Sequence, residues 1–383
     1  MINGTITIVP HSLLFENQVK AQEIEVSEWN EVPVFFRSNS GDLPFDIFAA
    51  SFYLLCRYEE YLSERRDNHG RFPVEESLAF RNGFLEKPVV DQWAMMLGEI
   101  IKAKFPEVKI QERKFTFVPT IDVDVAFAYR HKGIARTIGA FAKALARLDF
   151  ADNYNRLLVL LRFKKDPYDT YDLLESLHDR YKLKPVFFFL VGKYGPFDKN
   201  HSLKSSAFQS LIRRIAGSAR IGLHPSYRSN DDFRELQYEV QALAEVLDRP
   251  IDGSRQHFLK LSIPETYRNL IATGISEDYT MGFAQRPGFR AGTCTPFYFY
   301  DLEKETQTVL RVFPFQVMDG TLNQYMKLNQ DEALTKIQEL VHEVRLVKGT
   351  FISLWHNSSL GELREWRGWL GVYKEMLKIC KSE

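Results

Sequence analysis

Cysteine is scarce in this chain of 383 residues: Cys56, Cys294 and Cys380, scattered and odd in number. That excludes a disulfide framework or a paired-cysteine zinc module and suggests a reducing, cytoplasmic setting. Long apolar runs are missing too. The longest, Ile47 to Cys56 and Pro185 to Gly192, are too short to span a bilayer. The first residues lack the basic segment and apolar stretch of a secretion signal. Fifty basic and fifty acidic residues leave no net charge, which argues against general nucleic-acid binding. There is no internal repeat and no low-complexity tract. Phenylalanine, at 30 residues, is abundant, so the core is aromatic. With 45% hydrophobic and 26% charged residues the composition is that of a globular protein, long enough for two domains.

Residues 1–112 read as a small mixed α/β domain. Thr5 to Val9 and Val32 to Phe36 have the pattern of short strands, Phe45 to Leu62 and Val89 to Phe105 that of helices. The polar Gln111-Glu-Arg-Lys114 marks the boundary with residues 113–383. From there apolar strands alternate with helical stretches, which argues for a parallel sheet with crossover helices, and the length suits a β/α barrel. Predicted strands include Phe115 to Asp124, Pro185 to Val191, Arg220 to His224, Ile251 to Phe258, Val312 to Val317 and Gly349 to His356. Predicted helices include Ile134 to Leu148 and Asp231 to Leu247, the latter with Asn230 as its cap.

Phe115-Thr-Phe-Val-Pro-Thr-Ile-Asp-Val-Asp124 stands out. A continuous apolar run ends in two carboxylates, Asp122 and Asp124, which strand alternation places on one side. Two close carboxylates need a cation or a basic partner. Later strand ends offer His224, Arg255 with His257, Asp278 and His356. A single histidine at a strand end is more often a hydrogen-bonded structural residue than a ligand. Five such ends in order, each with an acid, base or cation, fit a site assembled from several strands.

In order and spacing, TIDVD, IGLHPSY, SRQHF, EDYT and LWH resemble the five motifs of the polysaccharide deacetylases, carbohydrate esterase family 4 with the NodB-homology fold. The resemblance runs from about Phe115 to His356. PFDIFAASFYLLCRYEEYL and RDNHGRFP, further back, are similar to an uncharacterised domain that accompanies some bacterial members. The resemblance implies a distorted β/α barrel of NodB type and a hydrolase that removes acetyl groups from N- or O-acetylated sugars with a divalent metal, usually zinc. Carried over by motif, Asp122 is the general base, Arg255 holds it, His356 is the general acid and Asp278 orients that histidine. Asp124 and His224 are metal ligands.

The second motif departs from the family pattern. Its second histidine position is Arg228, which has no lone pair to offer a metal. His257, where the family usually has proline, is the nearest replacement ligand. In the competing case the Arg228 guanidinium pairs with Asp124 and no metal binds. Trp355 and Tyr227 are candidates for stacking on a sugar ring, and Arg228, Arg290 and Asp319 for lining the same pocket. Arg290 lies in Gly288-Phe-Arg-Ala-Gly-Thr-Cys-Thr-Pro296, readable as an anion pocket or as a structural turn. The expected partner is an acetylated sugar or glycoconjugate precursor, with no nucleic acid and no membrane span. Two alternatives stay open: a different C–N amide hydrolase on this fold, with or without a metal, and a degenerate, non-catalytic barrel that binds saccharide or partner proteins.

Overall fold

Apolar runs that alternate with amphipathic ones become strands and helices in the computed structural model, which describes residues 4–381. The fold is the expected α/β class. Among the described residues, eleven strands form a two-stranded and a nine-stranded sheet, the latter dominated by parallel pairs. In chain order they are β1 Ser27–Trp29, β2 Val32–Val34, β3 Thr116–Val123, β4 Val186–Leu190, β5 Arg220–His224 and β6 Gly253–Ser254. They continue with β7 Glu277–Asp278, β8 Phe297–Asp301, β9 Thr306–Val312, β10 Val317–Met318 and β11 Thr350–His356. The order in the large sheet is β10-β11-β3-β4-β5-β6-β7-β9-β8. Among the described residues no helix is long and apolar enough to cross a membrane.

The chain divides into two compact units. The first takes in the chain up to Phe117, then Phe258–Met326 and Thr335–Ser353. Its β1–β2 hairpin turns on Asn30 and Glu31, both with positive φ, as a two-residue hairpin loop requires. Phe35, Phe45, Tyr53 and Trp93 pack edge-on and tilted to one another at the centre of its core. The helix expected over Phe45 to Leu62 is two helices, Ile47–Leu55 and Tyr58–Leu62. Arg57 breaks it by adopting the left-handed conformation, φ 55°, which delivers its buried guanidinium to Glu59 and Glu60. Thr5 to Val9 is not a strand. Thr7 N–H donates to the Asp42 carboxylate and the Thr7 carbonyl accepts from Asp42 N–H, so loop contacts replace a ladder.

The second unit comprises Val118–His257, Lys327–Leu334 and the chain from Leu354 onward. Its strands run parallel in the register Asp122–Phe188–Gly222, and Leu190 pairs with His224. Every residue of β4 is buried, as a continuous apolar run predicts. Gly222 is required by this packing: a Cβ there would lie 2.5 Å from the Phe188 ring. Helix Phe233–Leu247 is capped by Asp232, whose carboxylate accepts from the Arg234 and Glu235 N–H groups, and not by Asn230. The strand expected over Ile251 to Phe258 shrinks to β6, and its expected end is a 3-10 turn, His257–Leu259, with positive φ at Phe258 and Leu259. Val312 to Val317 is likewise not one strand: β9 ends at Val312 and β10 begins at Val317.

Helix Tyr171–Arg180 buries His178, 2% exposed, against helix Trp369–Lys381, where its Nε2 hydrogen-bonds the Tyr373 hydroxyl at 2.6 Å. Burial pushes this imidazole down to about 4. A folded pKa below the unfolded one gives stability that is full above about pH 6.5 and is lost as pH falls towards 4. We expect His178 to contribute about 3 kcal/mol of acid sensitivity across that window. Urea unfolding of wild type and His178→Gln at pH 7, 5 and 4 reads this directly. The variant should show the shallower pH slope; equal slopes would remove His178 as the source.

Candidate functional site

Three strand ends of the second unit and the segment after β6 bring the site together. Asp122, 2% exposed, is the penultimate residue of β3, and Asp124 follows the strand. Both carboxylates face one imidazole: His224 Nε2 lies 3.1 Å from Asp124 Oδ1 and 3.8 Å from Asp122 Oδ2. Side-by-side acids at one strand end are thus observed as expected. Arg255, fully buried, donates from Nη1 to Asp122 Oδ1 at 2.9 Å and to Thr120 Oγ1 at 2.6 Å. Its guanidinium lies 4.7 Å from the centre of the Phe188 ring, the ring for which Gly222 leaves room. The Arg255 backbone carbonyl in turn accepts a hydrogen bond from His224 Nδ1.

That last contact fixes a tautomer. A carbonyl only accepts, so Nδ1 carries the hydrogen and Nε2 presents its lone pair to Asp124. His257 is built the same way. Its Nδ1 donates to Asp198 Oδ1 at 2.9 Å, and its Nε2 lies 3.7 Å from Asp124 Oδ2. One ligand atom from each of Asp124, His224 and His257 lies within 4.8 Å of the others. Lone pairs aimed at a carboxylate repel it unless a cation sits among them. Asp124 Oδ1 is itself buried and has no hydrogen-bond partner. One carboxylate and two imidazoles, each imidazole held through its other nitrogen, is a donor set that fits a divalent metal such as zinc with an open position.

The electrostatics agree. Burial works to raise the Asp124 carboxyl, but the imidazoles of His257, His224 and His356 outweigh it and hold it well below the usual carboxylate range. Burial disfavours charge on His257, yet Asp124 and Asp198 push that imidazole up to about 9.

His356, at the end of β11, puts Nε2 3.8 Å from Asp124 Oδ2 with its side chain one-fifth exposed. It is positioned by its neighbours: Asn357 N–H donates to the Asp122 carbonyl, and the Ser359 hydroxyl donates to the His356 carbonyl at 2.8 Å. Trp355, one residue earlier, points to the opposite face as strand alternation demands. It is buried against Tyr373 and Trp369 and so fills the core; it does not line the site. Tyr227 is half-buried and stacks on Phe197 with ring centres 4.2 Å apart. Its N–H donates to Asp198, the carboxylate that also holds His257. Arg228 is exposed and its guanidinium reaches Asp232 at 3.5 Å and Glu235 at 4.0 Å. The ion pair with Asp124 that would have replaced the metal is not formed.

The remaining candidates lie in the first unit. Arg290 is buried and bound to both oxygens of Glu60 and to the Gly282 carbonyl, so its donors serve a structural network and the anion-holding reading falls. Asp278 accepts from the N–H and hydroxyl of Thr280, and Asp319 accepts from Gly320 N–H. The residue missed by sequence reasoning is Asp198. It stands in the loop Lys193-Tyr-Gly-Pro-Phe-Asp198, where a single acid after Gly-Pro carries no motif signal.

The DUF7033 family, described as a family of unknown function, matches residues 1–106. No curated protein matches the chain. Among solved structures it is similar to a Mycobacterium smegmatis protein provisionally named a polysaccharide deacetylase, at 14% identity over 71% of this chain and 86% of that one, with a TM-score of 0.44. It is also similar to the polysaccharide deacetylase Bc1974 from Bacillus cereus, at 11% identity over 70% and 88% of the two chains, TM-score 0.33. A third is BA3943 from Bacillus anthracis, a CE4 family pseudoenzyme, at 11% identity over 68% and 61%, TM-score 0.33.

Proposed function

We propose that this chain is a metal-dependent hydrolase that removes an acetyl group from an N- or O-acetylated sugar or glycoconjugate precursor. The observation that carries the reading is the pair of imidazoles, each pinned through Nδ1, that turn Nε2 towards Asp124 beside a second carboxylate held by a buried arginine. Asp124, His224 and His257 would hold the metal, which when bound supplies Lewis acidity and a more acidic water. Asp122 accepts the proton of the attacking water, and Arg255 keeps its carboxylate aimed. His356 gives a proton to the departing amine or alcohol. The Tyr227–Phe197 pair offers an aromatic face on which a sugar ring stacks.

The test is elemental analysis joined to hydrolysis of simple acetylated sugars. We expect about one divalent metal per chain, activity lost to a chelator and restored by added metal. Full hydrolysis by the chelated protein would favour a metal-free mechanism instead, and a metal-loaded protein that hydrolyses none of these sugars would leave a binding barrel.

A further inference from the structure

Helix Ile134–Ala146 of the second unit is inside out. Ile134, Ile138, Phe141 and Leu145 recur at intervals of four, three and four, the stripe that an amphipathic helix normally turns to the core. Here Ala144 is the helix's buried residue, while Ile134 is 81% exposed and Ile138 and Leu145 are exposed as well. The exposure continues through Leu148, Phe150, Tyr154 and Leu157 to Phe163, which is 79% exposed. Of the 23 large apolar side chains exposed among the described residues, ten fall between Ile134 and Phe163. Exposed apolar side chains clustered in one segment in this way mark an interaction face.

The charge of the same segment says what it faces. Residues 130–165 hold nine Lys or Arg and two acids, in a chain whose net charge is zero. Both acids are already engaged: Asp149 with Arg364 at 3.1 Å and Asp152 with Arg156 at 2.7 Å. On the first helix Arg136, Lys143 and Arg147 fall opposite the apolar stripe at 100° per residue. Arg162, Lys164 and Lys165 flank Phe163 and are exposed. The segment is held at its root by Asp166, whose carboxylate accepts from the N–H groups of Ala128, Tyr129 and Arg130 at 2.8, 2.9 and 3.0 Å. Helix Phe150–Leu160 packs beside the first helix as the second arm of a hairpin.

We propose that this helical hairpin docks on an anionic lipid bilayer, with its apolar stripe at the boundary of headgroups and acyl chains. A helix with one apolar face and one Lys/Arg-rich face is the form that lies in such an interface. A second copy of the chain fits less well, because a twofold contact would set this basic face against itself. Anionic headgroups neutralise it.

The experiment is co-sedimentation of the full chain with vesicles of phosphatidylcholine, with and without phosphatidylglycerol. We expect binding at least about tenfold tighter to the anionic vesicles, weakening as salt rises. Ile138→Glu with Leu145→Glu should abolish it, and Lys164→Glu with Lys165→Glu should weaken it by about tenfold or more. All four side chains are exposed, and the contacts of Lys165 with Asp172 and of Lys164 with Asn155 lie at the surface, so urea unfolding should show little change in stability. Failure to bind either vesicle, or equal binding by the Ile138→Glu/Leu145→Glu protein, would overturn the proposal. So would concentration-dependent dimerisation, abolished by the same substitutions, in a protein that ignores vesicles.

Discussion

Asp122→Asn should lower hydrolysis by about two to four orders of magnitude, the range for loss of a general base, while metal content stays unchanged. Asp122 is outside the set of ligand atoms that converge, and its tie is to Arg255. The amide oxygen of asparagine can still accept from Arg255 Nη1, so the guanidinium keeps a partner and the fold should survive. The substitution removes only the ability to take a proton. Comparison with His356→Ala sharpens the test. Protonating the leaving group matters most when that group is a poor one, as a sugar amine is. On an aryl acetate, whose phenolate leaves unaided, His356→Ala should recover most of its activity and Asp122→Asn should not. Equal losses on both substrates would remove the division of labour, and near-normal turnover by Asp122→Asn would remove the base.

Much of this arrangement is legible in the chain because it depends on local order. β5 occupies Arg220–His224 as expected, and β4 and helix Val89–Lys104 lie within a residue or so of their expected limits. Acids two apart on a strand face one way, and a histidine closing the second strand over reaches them. Illegible features are those set by partners distant in sequence. Arg57 takes a left-handed conformation in what reads as one continuous helix, because Glu60 and Arg290 form a buried charge network around it. Trp355 adjoins His356 in sequence, yet alternation sends the two side chains to opposite faces. Asp198 joins the site only because its loop returns beneath Tyr227 and His257. The inverted helix Ile134–Ala146 shows the limit of periodicity: the stripe predicts the helix but not which side meets solvent.

His257→Ala should strip the metal and the activity together. A catalytic zinc site usually has three protein ligands and one open position. Arg228 is turned out to Asp232 and Glu235, so Asp124 and His224 supply two, and His257 is the third group within reach. Removing it leaves one carboxylate and one imidazole, a set with little hold on a divalent ion. The control is Arg228→Ala. That guanidinium is exposed and paired with Asp232 and Glu235, so its loss should change neither metal content nor turnover. Asp198→Asn gives the intermediate case. Asparagine can still accept from His257 Nδ1 but no longer raises the basicity of the ring through its charge. Metal affinity should fall by about 10- to 100-fold, as it does when an outer partner of a ligating histidine is lost. Competition with a chelating dye reads all three variants on one scale. Wild-type affinity in His257→Ala would dismiss the imidazole as a ligand. Loss of metal in Arg228→Ala would instead mean that this arginine serves the site, and the order His257→Ala, then Asp198→Asn, then Arg228→Ala would no longer describe how the cation is held.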